Sequence, residues 1–196
     1  MSEGRLSTRK IAVFVVFIGV GLAALAAIFG LGTANSSAAC TLKDGTHFPF
    51  QAADDHTAAP DTAFKDANGK DRQLTDYKGQ GVVLNFWATW CAPCVREMPQ
   101  LDRLRALLKG TGIDVLAVSE DRKGVPVAKK FFETNKLHDL EVLVDPGGKL
   151  LRSLKVRGLP TTVLFGEDGL ERGRVTGIAE WDSNEVVAFI RKCLGA

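Results

Sequence analysis

Apolar positions along the chain fall into three regimes. From Ile11 to Leu31 the residues IAVFVVFIGVGLAALAAIFGL run for 21 positions without a charge. At 1.5 Å rise per residue that is about 30 Å of helix, the thickness of a bilayer's hydrocarbon core. Buried core helices run shorter and show a polar edge, so the run predicts a transmembrane segment over residues 11–31 behind a short tail, 1–10. Residues 32–62 are rich in Ala, Ser, Thr, Asp and Pro with little periodicity, and predict a linker and irregular lead-in. From residue 63 to the end at 196, compact apolar runs alternate with helical stripes, which predicts one folded domain.

Within that domain a short strand near Phe64 turns at Asn68-Gly69 before RQL. Val82 to Trp87 is a compact strand, LDRLRALLKG carries Leu101, Leu104, Leu107 and Leu108 as one helical stripe, and IDVLAVS is a second strand. Gly110 and Gly112 close the intervening helix. A further helix is expected over Val125 to Asn135, then LEVLVD as a strand and KLLRSLKV as a short helical or irregular crossing. Thr161 to Phe165 and Leu170 to Thr176, joined by GEDG, predict an antiparallel hairpin. The last helix, Ser183 to Cys193, presents Val186, Val187 and Ile190 on its apolar side. Continuous apolar strands in the middle imply burial on both faces, and the hairpin adds antiparallel edges. The expected fold class is a three-layer α/β domain with a mixed central sheet flanked by helices, plus an N-terminal transmembrane helix.

Charge adds orientation. Arg5, Arg9 and Lys10 precede the apolar run and Gly32 to Cys40 is uncharged, so the tail is expected in the cytoplasm and the domain across the membrane, in a bacterium the periplasm. The run is longer than a secretory h-region, which favours an uncleaved signal anchor in the inner membrane; cleavage after Ala39, or lipidation of Cys40 in SAAC, are the weaker alternatives. The formal net charge of +2 resides in the tail, and no Lys or Arg cluster points to nucleic acid.

The chain has four cysteines, and two stand together in NFWATWCAPCVREMP as Cys91 and Cys94. They fall where a buried strand hands over to a helix. Cys91 is therefore near free N–H groups and a dipole that favour thiolate, and Pro93 just inside the helix stiffens the turn without losing a hydrogen bond. Structural zinc would need two more ligands, and His47, His56 and His138 are scattered, so no metal is assigned. A purely structural disulfide closing so small a loop would constrain little of the unfolded chain. Thiol-disulfide exchange remains: Cys91 attacks a partner disulfide and Cys94 resolves the mixed disulfide, with the net direction left open by the motif. No cofactor is required.

Four other residues matter. Trp87 and Trp90 are candidates for shielding and docking, with core packing the alternative for a strand-end tryptophan. Glu97 follows Cys94 by three residues on the same helical face, where a partly buried carboxylate would exchange protons with the pair; a solvated helix acid is the alternative. Pro160, in RGLPTT before a strand, is the candidate for a cis proline beside the site.

Together FWATWCAPC, the following REMP and the downstream GLPTT resemble the thioredoxin superfamily, and within it the membrane-anchored TlpA and ResA type of thiol-disulfide oxidoreductase, over roughly residues 60 to 194. The resemblance implies a thioredoxin-like fold, Cys91 as nucleophile, Cys94 as resolving cysteine, Glu97 as active-site acid and Pro160 as a cis proline facing the disulfide. It implies Trp87, Trp90, Pro93, Leu159 and Thr161 at the docking surface. Where cytoplasmic thioredoxins carry a buried strand aspartate this chain has Asn85, which cannot titrate and leaves that task to Glu97.

TlpA itself is similar in having an additional structural cysteine pair, which implies a Cys40–Cys193 disulfide worth roughly 5 kcal/mol in loop entropy, against two free or separately used thiols. The resemblance also implies a reductase fed by a DsbD or CcdA type membrane protein, with a monomeric soluble domain. Its substrates would be a copper chaperone or the copper-site subunit of cytochrome oxidase, whose cysteines bind copper only as thiols. ResA and CcmG types instead reduce apocytochrome c, and often have PET where this chain has PTT. From other classes, a non-enzymatic copper carrier lacks support, since Met98 is the only methionine beyond the start, and a structural docking domain would tolerate loss of Cys91.

Overall fold

The computed structural model describes residues 40–42 and 47–195. The expected transmembrane segment, 11–31, lies outside the described residues; among those described, no helix is long and apolar enough to cross a membrane.

Eight strands form one sheet: β1 (Phe50–Ala52), β2 (Phe64–Lys65), β3 (Asp71–Arg72), β4 (Gly81–Trp87), β5 (Ile113–Ser119), β6 (Leu143–Val144), β7 (Thr161–Phe165) and β8 (Glu171–Thr176). Among the described residues, four α-helices accompany them: α1 (Ala92–Leu108), α2 (Val125–Asn135), α3 (Lys149–Ser153) and α4 (Asn184–Leu194). The strand order is β1-β8-β7-β4-β5-β6-β2-β3. β4, β5 and β6 pair in parallel, and β7 joins β4 antiparallel. This is the mixed, thioredoxin-like α/β sheet that the apolar pattern and the resemblance imply.

All seven residues of β4 are buried, and their alternation sorts them between two cores. Val83 and Trp87 face the layer that holds α1, α4 and Phe132 of α2, while Val82, Leu84 and Phe86 face Leu150, Leu154 and Tyr77. Asn85 shares the parity of Val83 and Trp87, so the strand puts one polar side chain under α1. Gly81 has no room for a side chain: a Cβ there would lie 2.7 Å from that of Leu194, so its absence lets the end of α4 close onto the sheet.

Several expectations are corrected. Within the stretch read as irregular, Phe50–Ala52 pairs with β8 and Phe48 is buried against Trp181 and Phe189, with centroids 5.6 and 5.3 Å away. LEVLVD contributes only Leu143–Val144 to the sheet, because Asp145 turns back to accept the N–H groups of Lys149, Leu150 and Leu151 and so starts α3. Leu107 is 46% exposed rather than part of the leucine stripe: at about 100° per residue it sits beyond the edge of the face shared by Leu101, Leu104 and Leu108.

Cys40 and Cys193 form a disulfide across 153 positions, joining the lead-in to α4 beside Phe48. A C40A/C193A double variant is expected to lose about 2–5 kcal/mol of unfolding free energy, read from denaturant midpoints under non-reducing conditions. An unchanged midpoint would show that packing of Phe48 alone holds the lead-in.

Candidate functional site

The redox pair is built by the junction of β4 and α1. Cys91 is the N-cap of α1, in extended conformation, and its Sγ accepts the N–H of Cys94 at 3.4 Å. Pro93 occupies the first turn, where no intrahelical donor is lost. Cys91 and Cys94 are joined as a disulfide; Cys94 is fully buried, whereas Cys91 opens onto a cleft of about 450 Å³. Attack from outside therefore meets Cys91 first, and the helix N-terminus stabilises negative charge on its sulfur.

The loop that delivers Cys91 is held by Asp121. Its carboxylate takes the Thr89 N–H at 2.9 Å, the Thr89 hydroxyl at 2.8 Å and the Ser119 hydroxyl at 2.8 Å. Sequence reasoning missed this clamp, whose visible trace is a Ser-x-Asp at the end of β5.

Behind Cys94 the Glu97 side chain is withdrawn from water, 2% exposed. Its Oε1 accepts from Asn85 Nδ2 at 2.9 Å and its Oε2 from Trp181 Nε1 at 2.9 Å, while Asn85 Nδ2 also donates to Thr162 Oγ1 at 2.9 Å. Burial raises the Glu97 pKa above its ordinary 4.5, and the Trp181, Asn85 and Ala179 donors offset only part of that shift. Glu97 also lines a surface hollow together with His47, Arg96 and Ser183. Trp181 and Thr162 were not legible as site residues; a tryptophan directly before the last helix was the available signal for the first.

Other sequence-derived candidates separate. Leu159-Pro160 is a cis peptide bond, and Leu159 lines the Cys91 cleft with Trp90, which is 69% exposed. Trp87 is fully buried, in tilted ring contact with Phe131 and Phe132 at centroid distances of 4.8 and 5.9 Å, so it belongs to the core and not to the docking surface. Because β4 is buried on both faces, its parity decides only which core it joins, the one beneath α2. Thr161 is likewise buried, its hydroxyl donating to the Gly158 carbonyl at 2.8 Å, where it shapes the proline loop and offers nothing outward.

Residues 56–171 match the model of the AhpC/TSA family. The chain is 38% identical over 121 residues to the thiol-disulfide oxidoreductase ResA of Geobacillus thermodenitrificans, covering 62% of this chain and 68% of that protein. It is 40% identical over 136 residues to ResA of Bacillus thuringiensis subsp. konkukian, covering 68% and 75%. A crystal structure of a putative thiol:disulfide interchange protein DsbE from Chlorobium tepidum superposes with a TM-score of 0.60 at 30% identity, over 70% of this chain and 98% of that one.

Because the Glu97 pKa is raised on folding, its stabilising contribution is complete below 4.5 and is lost as pH rises through the elevated value. Glu97→Gln is expected to remove that decline, so that denaturant midpoints of variant and parent converge or cross toward alkaline pH. Disulfide exchange by the same variant should slow on the order of a hundredfold. A variant whose stability falls with pH as steeply as the parent's would place the titration elsewhere.

Proposed function

Because the chain belongs to the AhpC/TSA family and is a ResA-like thiol-disulfide oxidoreductase, we propose that it is a membrane-anchored periplasmic reductase that keeps copper-site cysteines reduced for metallation. The observation that carries the reductase chemistry is the Cys91–Cys94 disulfide at the start of α1, backed by a buried carboxyl on the same helix.

Cys91 attacks one sulfur of the substrate disulfide as thiolate, releasing the other sulfur. Cys94 then loses its proton toward Glu97 and attacks the Cys91 sulfur, so the substrate leaves with two thiols and the chain with a disulfide. Two electrons pass to the substrate and a DsbD or CcdA type membrane protein returns them; of the two protons the substrate sulfurs take up, one is that lost by Cys94 and the other is drawn from solvent. Trp90 and Leu159 supply the apolar rim on which the substrate chain lies. The proposed protein substrate is a copper chaperone or the copper-site subunit of cytochrome oxidase, since a disulfide there cannot ligate copper and its reduced form can. The Cys40–Cys193 disulfide supports this choice, as the additional pair is the feature shared with the TlpA type.

A second reading, reduction of apocytochrome c, draws on the relatives that carry the name ResA. The two separate in one experiment. Cys94→Ser leaves Cys91 unable to be resolved, and the protein captured on Cys91 in the source cell is expected to be a copper-site protein. Apocytochrome c in the captured adduct would select the second reading, and loss of Cys91 with no effect on maturation of either target would remove both.

A further inference from the structure

The cleft that exposes Cys91 is walled by Trp90, Leu151, Val156 and Leu159, with Arg157 at its edge and Glu120 as the one carboxyl among its lining residues. Glu120 is fixed in place by the sheet: it directly follows β5, and its N–H donates to the Trp87 carbonyl at 2.8 Å, at the end of the strand that leads to Cys91. Its Oε1 is buried and has no hydrogen-bond partner. A buried carboxyl oxygen without a partner is costly in a folded protein and calls for a reason.

Its neighbours do not supply one. Asp121, on the same loop, spends its oxygens on Thr89 and Ser119, and Asp145, after β6, spends its own on the N–H groups that start α3. Both add negative charge near Glu120, and Arg152 of α3 is the opposing cation. Burial and Asp145 together push the Glu120 pKa up to about 8, so the group carries a proton at neutral pH. Glu97 cannot serve the same space, since it lies behind Cys94 with both oxygens occupied. Arg157 does not release a proton in this range.

We propose that Glu120 is the general acid that protonates the sulfur expelled from the substrate disulfide when Cys91 attacks it. The step rests on the exchange reading above. The Cys91 thiolate forms a bond to one substrate sulfur, the substrate S–S bond breaks, and the electron pair leaves on the second sulfur, which takes the Glu120 proton. Glu120 becomes a carboxylate and is reprotonated from solvent. An alkyl thiolate, of ordinary pKa about 8.5, is a poor leaving group in an apolar cleft, and a proton delivered as the bond breaks lowers that barrier.

The test compares two disulfides in single turnovers of the full 196-residue chain, reduced beforehand. One is bis(hydroxyethyl) disulfide, whose alkyl sulfur needs a proton; the other is dithiobis(nitrobenzoate), whose aryl thiolate leaves without one. Glu120→Gln keeps the size of the side chain and removes the acid. The expected result is a loss of thiol release from the alkyl disulfide about tenfold or more larger than the loss from the aryl disulfide. In the parent chain, the alkyl-to-aryl rate ratio should fall as pH rises through about 8, and in the variant it should be flat. Equal losses on both disulfides, or no loss on either, would overturn the role of Glu120 while leaving the exchange reading intact. A parent chain that reduces neither disulfide would defeat both together.

Discussion

The carboxyl of Glu97, held out of water beneath the redox disulfide, constrains the rest of the domain. Removing a carboxylate from water costs several kcal/mol even after the protein relaxes, and a hydrogen bond to a charged group returns about 1.5–3 kcal/mol. Donors from Asn85 and Trp181 therefore offset much of the cost without cancelling it, and the raised pKa shows that desolvation prevails. Asn85 suits such a partner better than a second acid would. Its amide donates to the ionised carboxylate and, turned over, accepts from the protonated one, so both states are tolerated without adding a like charge.

That arrangement needs three elements to meet. Asn85 comes from the central strand β4, Thr162 from β7 beside it, and Trp181 from the segment leading into α4. Trp181 is in turn kept in place by Phe48, whose segment is fastened by the Cys40–Cys193 disulfide and by the pairing of β1 with β8. The two disulfides thus do opposite work. The long one closes 153 positions and removes much entropy from the unfolded chain; the short one closes three and removes little, so opening it leaves the fold's stability largely untouched. A domain that must cycle one disulfide keeps its folding energy in the other and in its core.

Much of this was legible in the sequence. Runs with a clear period, Val82 to Trp87, Ile113 to Ser119, Val125 to Asn135 and the terminal hairpin, folded as their patterns require, because burial on one or both faces fixes them locally. The misses share a cause. β1 exists only through its register with β8, more than a hundred positions away, and nothing in FQA announces that partner. The Trp181–Glu97 and Thr89–Asp121 contacts span 84 and 32 positions, and polar pairing at such distance leaves no periodic trace. Trp87 was misplaced for the converse reason: proximity to the cysteines suggested exposure, while β4 is covered on both faces and buries the residue whichever way its parity points.

Exchange between a disulfide and two thiols moves two electrons and two protons, so a thiol-disulfide oxidoreductase needs proton traffic on both sides of its sulfur pair. Glu97, three residues on from Cys94, has both oxygens occupied, and Cys91 opens onto a cleft lined by Glu120, one of whose oxygens is buried without a partner. Both acids are shifted the same way, by burial, but for different ends. Glu97 is surrounded by donors that stabilise its ionised form and so is suited to accept a proton; Glu120 has acidic neighbours that disfavour ionisation and so is suited to give one. A base placed behind the resolving cysteine and an acid placed before the attacking one is the order in which the two half-steps of exchange call on them.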